Sequence, residues 1–159
     1  MWKNEDMDRS EKNRISYYIA CIGAFAEKYA VSNAFAYNYL LKYKGLSFIY
    51  DCYESEHTLS IDDAVVDMSE ICRRNGGPLV WSYTMDQMKI MNKVDRQFLI
   101  ETLCEDLVPM IMEEYHLTAI EALDKLYTSN TFAKIEDTQT GLYFQSPVYV
   151  FEFFKEEFS

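Results

Sequence analysis

The sequence predicts an all-α protein: two small helical bundles of similar plan, joined by a connecting helix. Three observations carry this. Apolar residues recur at three- and four-residue steps along most of the chain. Helix-starting residues, Ser32, Ser60, Thr118 and Ser146, stand just before those stripes. Arg73-Arg74-Asn75-Gly76-Gly77-Pro78 then divides the chain as a helix C-terminus does, with cations in the last turn followed by glycine and proline. The expected organisation is a first domain over 12–77, a connecting segment over 78–94 and a second domain over 95–159.

The first helix shows Ile15, Tyr18, Ile19, Ile22, Phe25, Ala26 and Tyr29 on one face. Ser32 caps a second, which is expected to bury Phe35, Ala36, Tyr39, Leu40 and Tyr43 before Gly45 stops it. A short third runs through Leu46, Ile49 and Tyr53, and a polar loop follows over 54–59. Ser60 with Asp62 and Asp63 in the first turn starts a fourth, burying Ala64, Val65, Met68 and Ile71. Between the halves, Met85, Met88, Met91 and Val94 share a helical face, with Thr84 and Gln87 in capping-box relation.

The second half opens with a long helix near Asp95 whose stripe is Leu99, Leu103, Leu107, Met110, Ile111 and Tyr115, bent at Pro109. Thr118-Ala119-Ile120-Glu121 forms a capping box ahead of Leu123, Leu126 and Tyr127. A short helix through Phe132 and Ile135 leads to the loop 137–145. Ser146-Pro147 then starts a last helix carrying Val150, Phe151, Phe154 and Phe158.

Shifting the chain by 86 residues aligns Glu27 with Glu113, Tyr29 with Tyr115, Ala36 with Ala122, Leu40 with Leu126, Ile49 with Ile135, Asp51 with Asp137, Ser60 with Ser146 and Glu70 with Glu156. Ser32 meets Thr118 in the same register. Divergent tandem duplication and convergence of two similar bundles both account for this.

The chain has 159 residues, of which 49% are hydrophobic and 16% aromatic, enough for a real core. Its 26 acidic and 15 basic side chains leave a net charge of −11. That excess repels phosphate and argues against direct nucleic-acid or anionic-membrane binding, while favouring a basic partner. Residues 95–159 hold 13 acids and 4 bases, a net −9, against −2 for residues 1–94. No apolar run approaches the roughly 18 residues of a membrane span, and the polar start is unlike a secretory signal, so a cytoplasmic protein is expected. Cys21, Cys52, Cys72 and Cys104 form no close pair and read as reduced, mostly buried thiols.

Catalytic patterns are weak. Glu113, Glu114 and His116 contain a Glu-x-x-His spacing of the kind that binds two metals in helical bundles, but no second copy completes it. Cys52 and His57 lack an orienting third group. Five glycines leave little material for a phosphate-cradling loop. The expectation is a non-enzyme with no metal and no cofactor. The distinctive surface candidates are Leu142, Tyr143, Phe144 and Gln145 in the second loop, with Tyr149 just beyond, and Tyr53 and His57 around the first. The 141–147 loop reads first as a plug folded over the bundle; the alternative is a recognition loop, since aromatic anchors at an acidic rim suit a protein interface. Thirteen tyrosines are many for bundles of this size, so some are expected on a contact surface.

Tyr53-x-x-x-His57-Thr58, followed by the Ser60-capped Ile-Asp-Asp helix and Arg73-Arg74-Asn75-Gly76-Gly77, resembles an uncharacterised family of short bacterial helical domains over about 12–76. Ala122-Leu123-Asp124-Lys125-Leu126-Tyr127 and Gly141 to Pro147 resemble a second small bacterial type over 97–158. The first resemblance implies genes placed beside a predicted ADP-ribosyltransferase-like protein, as in toxin and antitoxin pairs, and carries no catalytic residues. It implies an antitoxin-like protein that masks or regulates a basic, toxin-like enzyme. A self-associating adaptor, dimeric through its aromatic surface, is the main alternative; a small enzyme using Glu113, Glu114 and His116 is the other.

Overall fold

The computed structural model describes residues 7–78 and 90–159, with side chains described over 7–78 and 96–159. Among them every regular element is helical. The order is α1 (Arg9–Tyr29), α2 (Asn33–Lys42), α3 (Gly45–Asp51), α4 (Tyr53–Glu56), α5 (Ile61–Arg74), α6 (Ile90–Tyr115), α7 (Ala119–Tyr127), α8 (Asn130–Glu136) and α9 (Pro147–Glu157), with a 3-10 turn at Leu142–Phe144. The side chains of Thr84, Met85, Gln87, Met88, Met91 and Val94, expected on the connecting helix, lie outside the described residues. The chain forms two compact units, one from 17–93 and one from 1–16 with 94–159, so the boundary falls inside α1. The second unit carries the acidic excess.

In the 17–93 unit the α1 stripe is buried from Tyr18 to Ala26, with Ile19, Ile22 and Phe25 fully enclosed. Ser32 starts α2 by accepting the Phe35 N–H at 3.0 Å, and Ser60 starts α5 by accepting that of Asp63 at 3.1 Å. The buried face of α2 differs from expectation: Phe35 is 50% exposed, and Tyr37, at 1%, is inside. Nor does Gly45 end α2. Lys44 makes the left-handed turn at φ 68°, and Gly45 opens α3. A side chain at Gly45 would meet the Leu40 side chain at 2.7 Å and Cys72 Sγ at 2.9 Å, so glycine lets α3 lie close to α2 and α5. The expected loop at 54–59 contains the single turn α4. On α5, Cys72 is buried while Ile71 is only half-buried.

In the acidic unit, Leu103, Leu107, Met110 and Ile111 line the buried side of α6 with Ile100, Cys104 and Val108. Leu99 is 39% exposed, which rotates the start of the stripe by one residue to Ile100. Pro109 sits inside α6 without ending it. The Thr118–Glu121 capping box is complete: Thr118 Oγ1 accepts the Glu121 N–H at 3.3 Å, and Glu121 accepts the Thr118 N–H at 2.8 Å. Helix α8 packs on α7, α9 and the 3-10 turn. Val150, Phe151 and Phe154 of α9 are fully buried, whereas Phe158, the C-cap, is 40% exposed.

The two units run in step at the 86-residue offset. α1 ends at Tyr29 and α6 at Tyr115; Ser32 and Thr118, then Ser60 and Ser146, cap corresponding helices. Ala30 and His116 both adopt φ 53° immediately after those helix ends. In each case the next residue's N–H reaches back five positions, Val31 to the Ala26 carbonyl at 3.0 Å and Leu117 to that of Met112 at 3.1 Å. This is a Schellman closure, built twice without glycine.

Candidate functional site

The loop before α9 is held from both sides. Thr140 Oγ1 donates to the Lys134 carbonyl at 2.5 Å and accepts the Leu142 N–H at 3.2 Å, which anchors the loop to the end of α8. Gly141 then turns left-handed at φ 65°, with the Phe144 ring close against it. That turn drops Leu142 into the unit, 6% exposed, while Phe144 stays 61% exposed. A buried plug and an exposed ring therefore stand two residues apart. Tyr143 is half-buried against Phe144, ring centroids 5.0 Å apart at 86°, and Gln145 is exposed.

Exposure continues into α9. Ser146 Oγ accepts the Tyr149 N–H at 3.3 Å and Pro147 fills the first turn, which fixes where the helix faces point. Val148 is 48% exposed, Tyr149 51% and Phe153 36%, with Tyr149 edge-on to Phe153 at 5.2 Å. Tyr149, Phe153, Glu152 and Glu156 share one face of α9 by their three- and four-residue spacing, so apolar rings alternate there with carboxylates. Four large apolar side chains, Phe144, Val148, Tyr149 and Phe153, thus sit close together in the chain and uncovered. Val148 and Phe153 had no place in the expected surface; the missing signal was the outward face of a helix whose inward face is also aromatic.

Tyr53 and His57 are brought together in the other unit. Their rings stack at 4.5 Å with planes 9° apart, and Tyr53 packs edge-on against Tyr17 at 5.4 Å and Tyr18 at 5.9 Å. Tyr53 is 8% exposed, so His57 is the exposed member of the pair. His57 Nδ1 lies 2.6 Å from the Tyr53 carbonyl oxygen; a carbonyl only accepts, so Nδ1 carries a proton. Among the twelve described tyrosines five are buried, six are half-buried and Tyr149 alone is exposed.

Glu113 and Glu114 are exposed at the end of α6, and His116, in its left-handed turn beyond the helix, shares no helical face with Glu113. Cys21, Cys72 and Cys104 are buried. Burial pushes the Cys21 thiol up to about 12 and the Cys72 thiol to about 11, far from the thiolate a nucleophile needs. Among the described residues no three of His, Cys, Asp or Glu stand close enough to hold a metal. A cleft of about 170 Å³ in the acidic unit is lined by Lys12, Ile15, Ser16, Glu105, Asp106 and Pro109. Burial raises both its carboxyls, and the Ser16 hydroxyl, bonded to Glu105, offsets part of the rise there. The cleft is lined by no histidine or cysteine.

One comparison bears on identity. Residues 16–75 match the family model described as a protein of unknown function, DUF3791. The matched segment runs from α1 through the end of α5, so it covers Tyr53, His57 and the aromatic cluster around them, and leaves α6 to α9 outside. No curated protein and no solved structure matches the chain. Among the described residues no helix is long and apolar enough to cross a membrane.

Proposed function

We propose that this protein is a non-catalytic binding module that docks a basic protein on the outer face of α9 and the loop before it. The observation that carries this reading is the uncovered row of Phe144, Val148, Tyr149 and Phe153 beside Glu152 and Glu156. Aromatic side chains of this kind supply most of the binding energy at interfaces, and carboxylates at the rim select and steer a cationic partner. The net −9 of residues 95–159 acts in the same direction. The resemblance of the first half to domains encoded beside ADP-ribosyltransferase-like proteins makes a toxin-like enzyme the partner to try first, with masking or regulation as the outcome. In the cell this is cytoplasmic, antitoxin-like chemistry.

The test is co-expression with the product of the adjacent gene, followed by size-exclusion chromatography. Co-elution as a stable complex, together with loss of the partner's toxicity, supports the reading. Separate elution with a homodimer of this chain would instead favour a self-associating adaptor.

A further inference from the structure

Glu56 and Leu142 stand 86 residues apart, each four residues before the serine that caps the next helix, and both are interior: Glu56 is 7% exposed and Leu142 6%. The acidic unit closes this position with an apolar plug. The 17–93 unit closes it with a carboxylate. Glu56 Oε2 is fully buried and has no hydrogen-bond partner among the described residues. Its electrostatic neighbours are the Asp67 carboxylate from α5 and, from α1, the Tyr17 hydroxyl and Cys21 thiol. Neither Glu56 nor Asp67 forms an ion pair among the described residues. A buried carboxylate with a second carboxylate as its charged neighbour is unfavourable as it stands, and a fold of this plan accepts leucine there.

We propose that Glu56, backed by Asp67, is a receptor for an arginine or lysine side chain of a protein partner. Oε2 is closed off and Glu56 is only 7% exposed, so the side chain must turn outward to meet the cation, which then faces a carboxylate backed by a second one. Planar guanidinium suits this best, since it meets a carboxylate through two parallel N–H donors and stacks on aromatic rings such as the exposed His57. Burial and the Asp67 charge both push the Glu56 carboxyl up, which an arriving cation would reverse. The proposal rests on the reading of the chain as a protein-binding module but not on the α9 row, which lies in the other unit.

The experiment uses the full chain with ¹³C-labelled carboxylates, titrated with the peptide acetyl-(Gly-Arg)4-amide and, in parallel, with its citrulline counterpart. The expected result is a shift of the Glu56 carboxyl resonance with the arginine peptide alone, and binding at least tenfold weaker in Glu56→Gln and Asp67→Asn. Glu56→Gln and Glu56→Leu should keep or raise the thermal midpoint. Binding by Glu56→Gln within twofold of the unchanged chain would overturn the proposal. So would unfolding of both Glu56 variants, which would make the carboxylate structural, or an equal shift with Mg²⁺ or Ca²⁺ alone, which would make it an ion site. Loss of the α9 row leaves all these outcomes readable.

Discussion

The Glu157 carboxylate at the end of α9 takes both donors of Thr131: Oε2 accepts the backbone N–H at 2.8 Å and the hydroxyl at 2.7 Å. Oε1 accepts the Asn130 N–H at 2.7 Å, while Ser129 Oγ accepts that of Phe132 at 3.0 Å. The first turn of α8 is thus capped from two directions, by its own N-cap serine and by a carboxylate 26 and 27 residues away. These bonds hold the Glu157 carboxyl below its ordinary value, although burial works against them.

Glu157→Gln should destabilise the protein by about 1.5–3 kcal/mol at pH 7, the range for hydrogen bonds to a charged group. The sign of the pH effect follows from the lowered carboxyl. Its contribution is complete above the unfolded-state value near 4.5 and is lost as pH falls through the folded-state value. Urea unfolding at pH 7 and pH 3 checks this: the gap between Glu157→Gln and the unchanged chain should narrow at pH 3.

Ala30 and His116 occupy left-handed helix ends that glycine adopts without strain, as Gly76 does at φ 84° after α5. Ala30→Gly and His116→Gly should each stabilise by about 1 kcal/mol, since the left-handed conformation costs residues with a Cβ roughly 1–2 kcal/mol and glycine gives part of that back in entropy. Thermal midpoints that rise for both variants check this.

Leu142 and Phe144 should separate stability from recognition. Leu142→Ala opens a cavity under the loop and should cost about 2–5 kcal/mol. Phe144→Ala removes an exposed ring and should stay within about 0.5 kcal/mol in chemical unfolding. Partner affinity, measured on the folded fraction, should fall for Phe144→Ala.

Much of the fold was legible because it is written locally. Ser32, Ser60, Thr118 and Ser146 cap as their spacing requires, and the strongly two-faced α7 buries its expected side, as α5 does except at Ile71. The misreadings come from helices apolar on more than one side. In α2, with Phe35, Tyr37, Tyr39, Leu40 and Leu41, periodicity does not choose a face, and packing against α3 did. At the start of α6, Leu99 and Ile100 are equally good core residues, and only Ile100 is inside. In the candidate site, Leu142, Tyr143 and Phe144 have no period to sort plug from exposed ring; the left-handed Gly141 and the Thr140 clamp decide it. Glu56 was hidden by its charge, since a glutamate in a polar stretch reads as exposed. The Glu157 cap joins residues too distant in sequence for any local pattern to link them.

The account turns on the outer face of α9. Its most direct test is the dissociation constant between the full chain and the adjacent gene's product, with the unchanged protein and with the combined variant Phe144→Ala, Tyr149→Ala and Phe153→Ala. The prediction is affinity weaker by about 100-fold or more, as expected when an aromatic anchor cluster is removed, with an unchanged thermal midpoint. Equal affinity of the folded variant and the unchanged chain would contradict it.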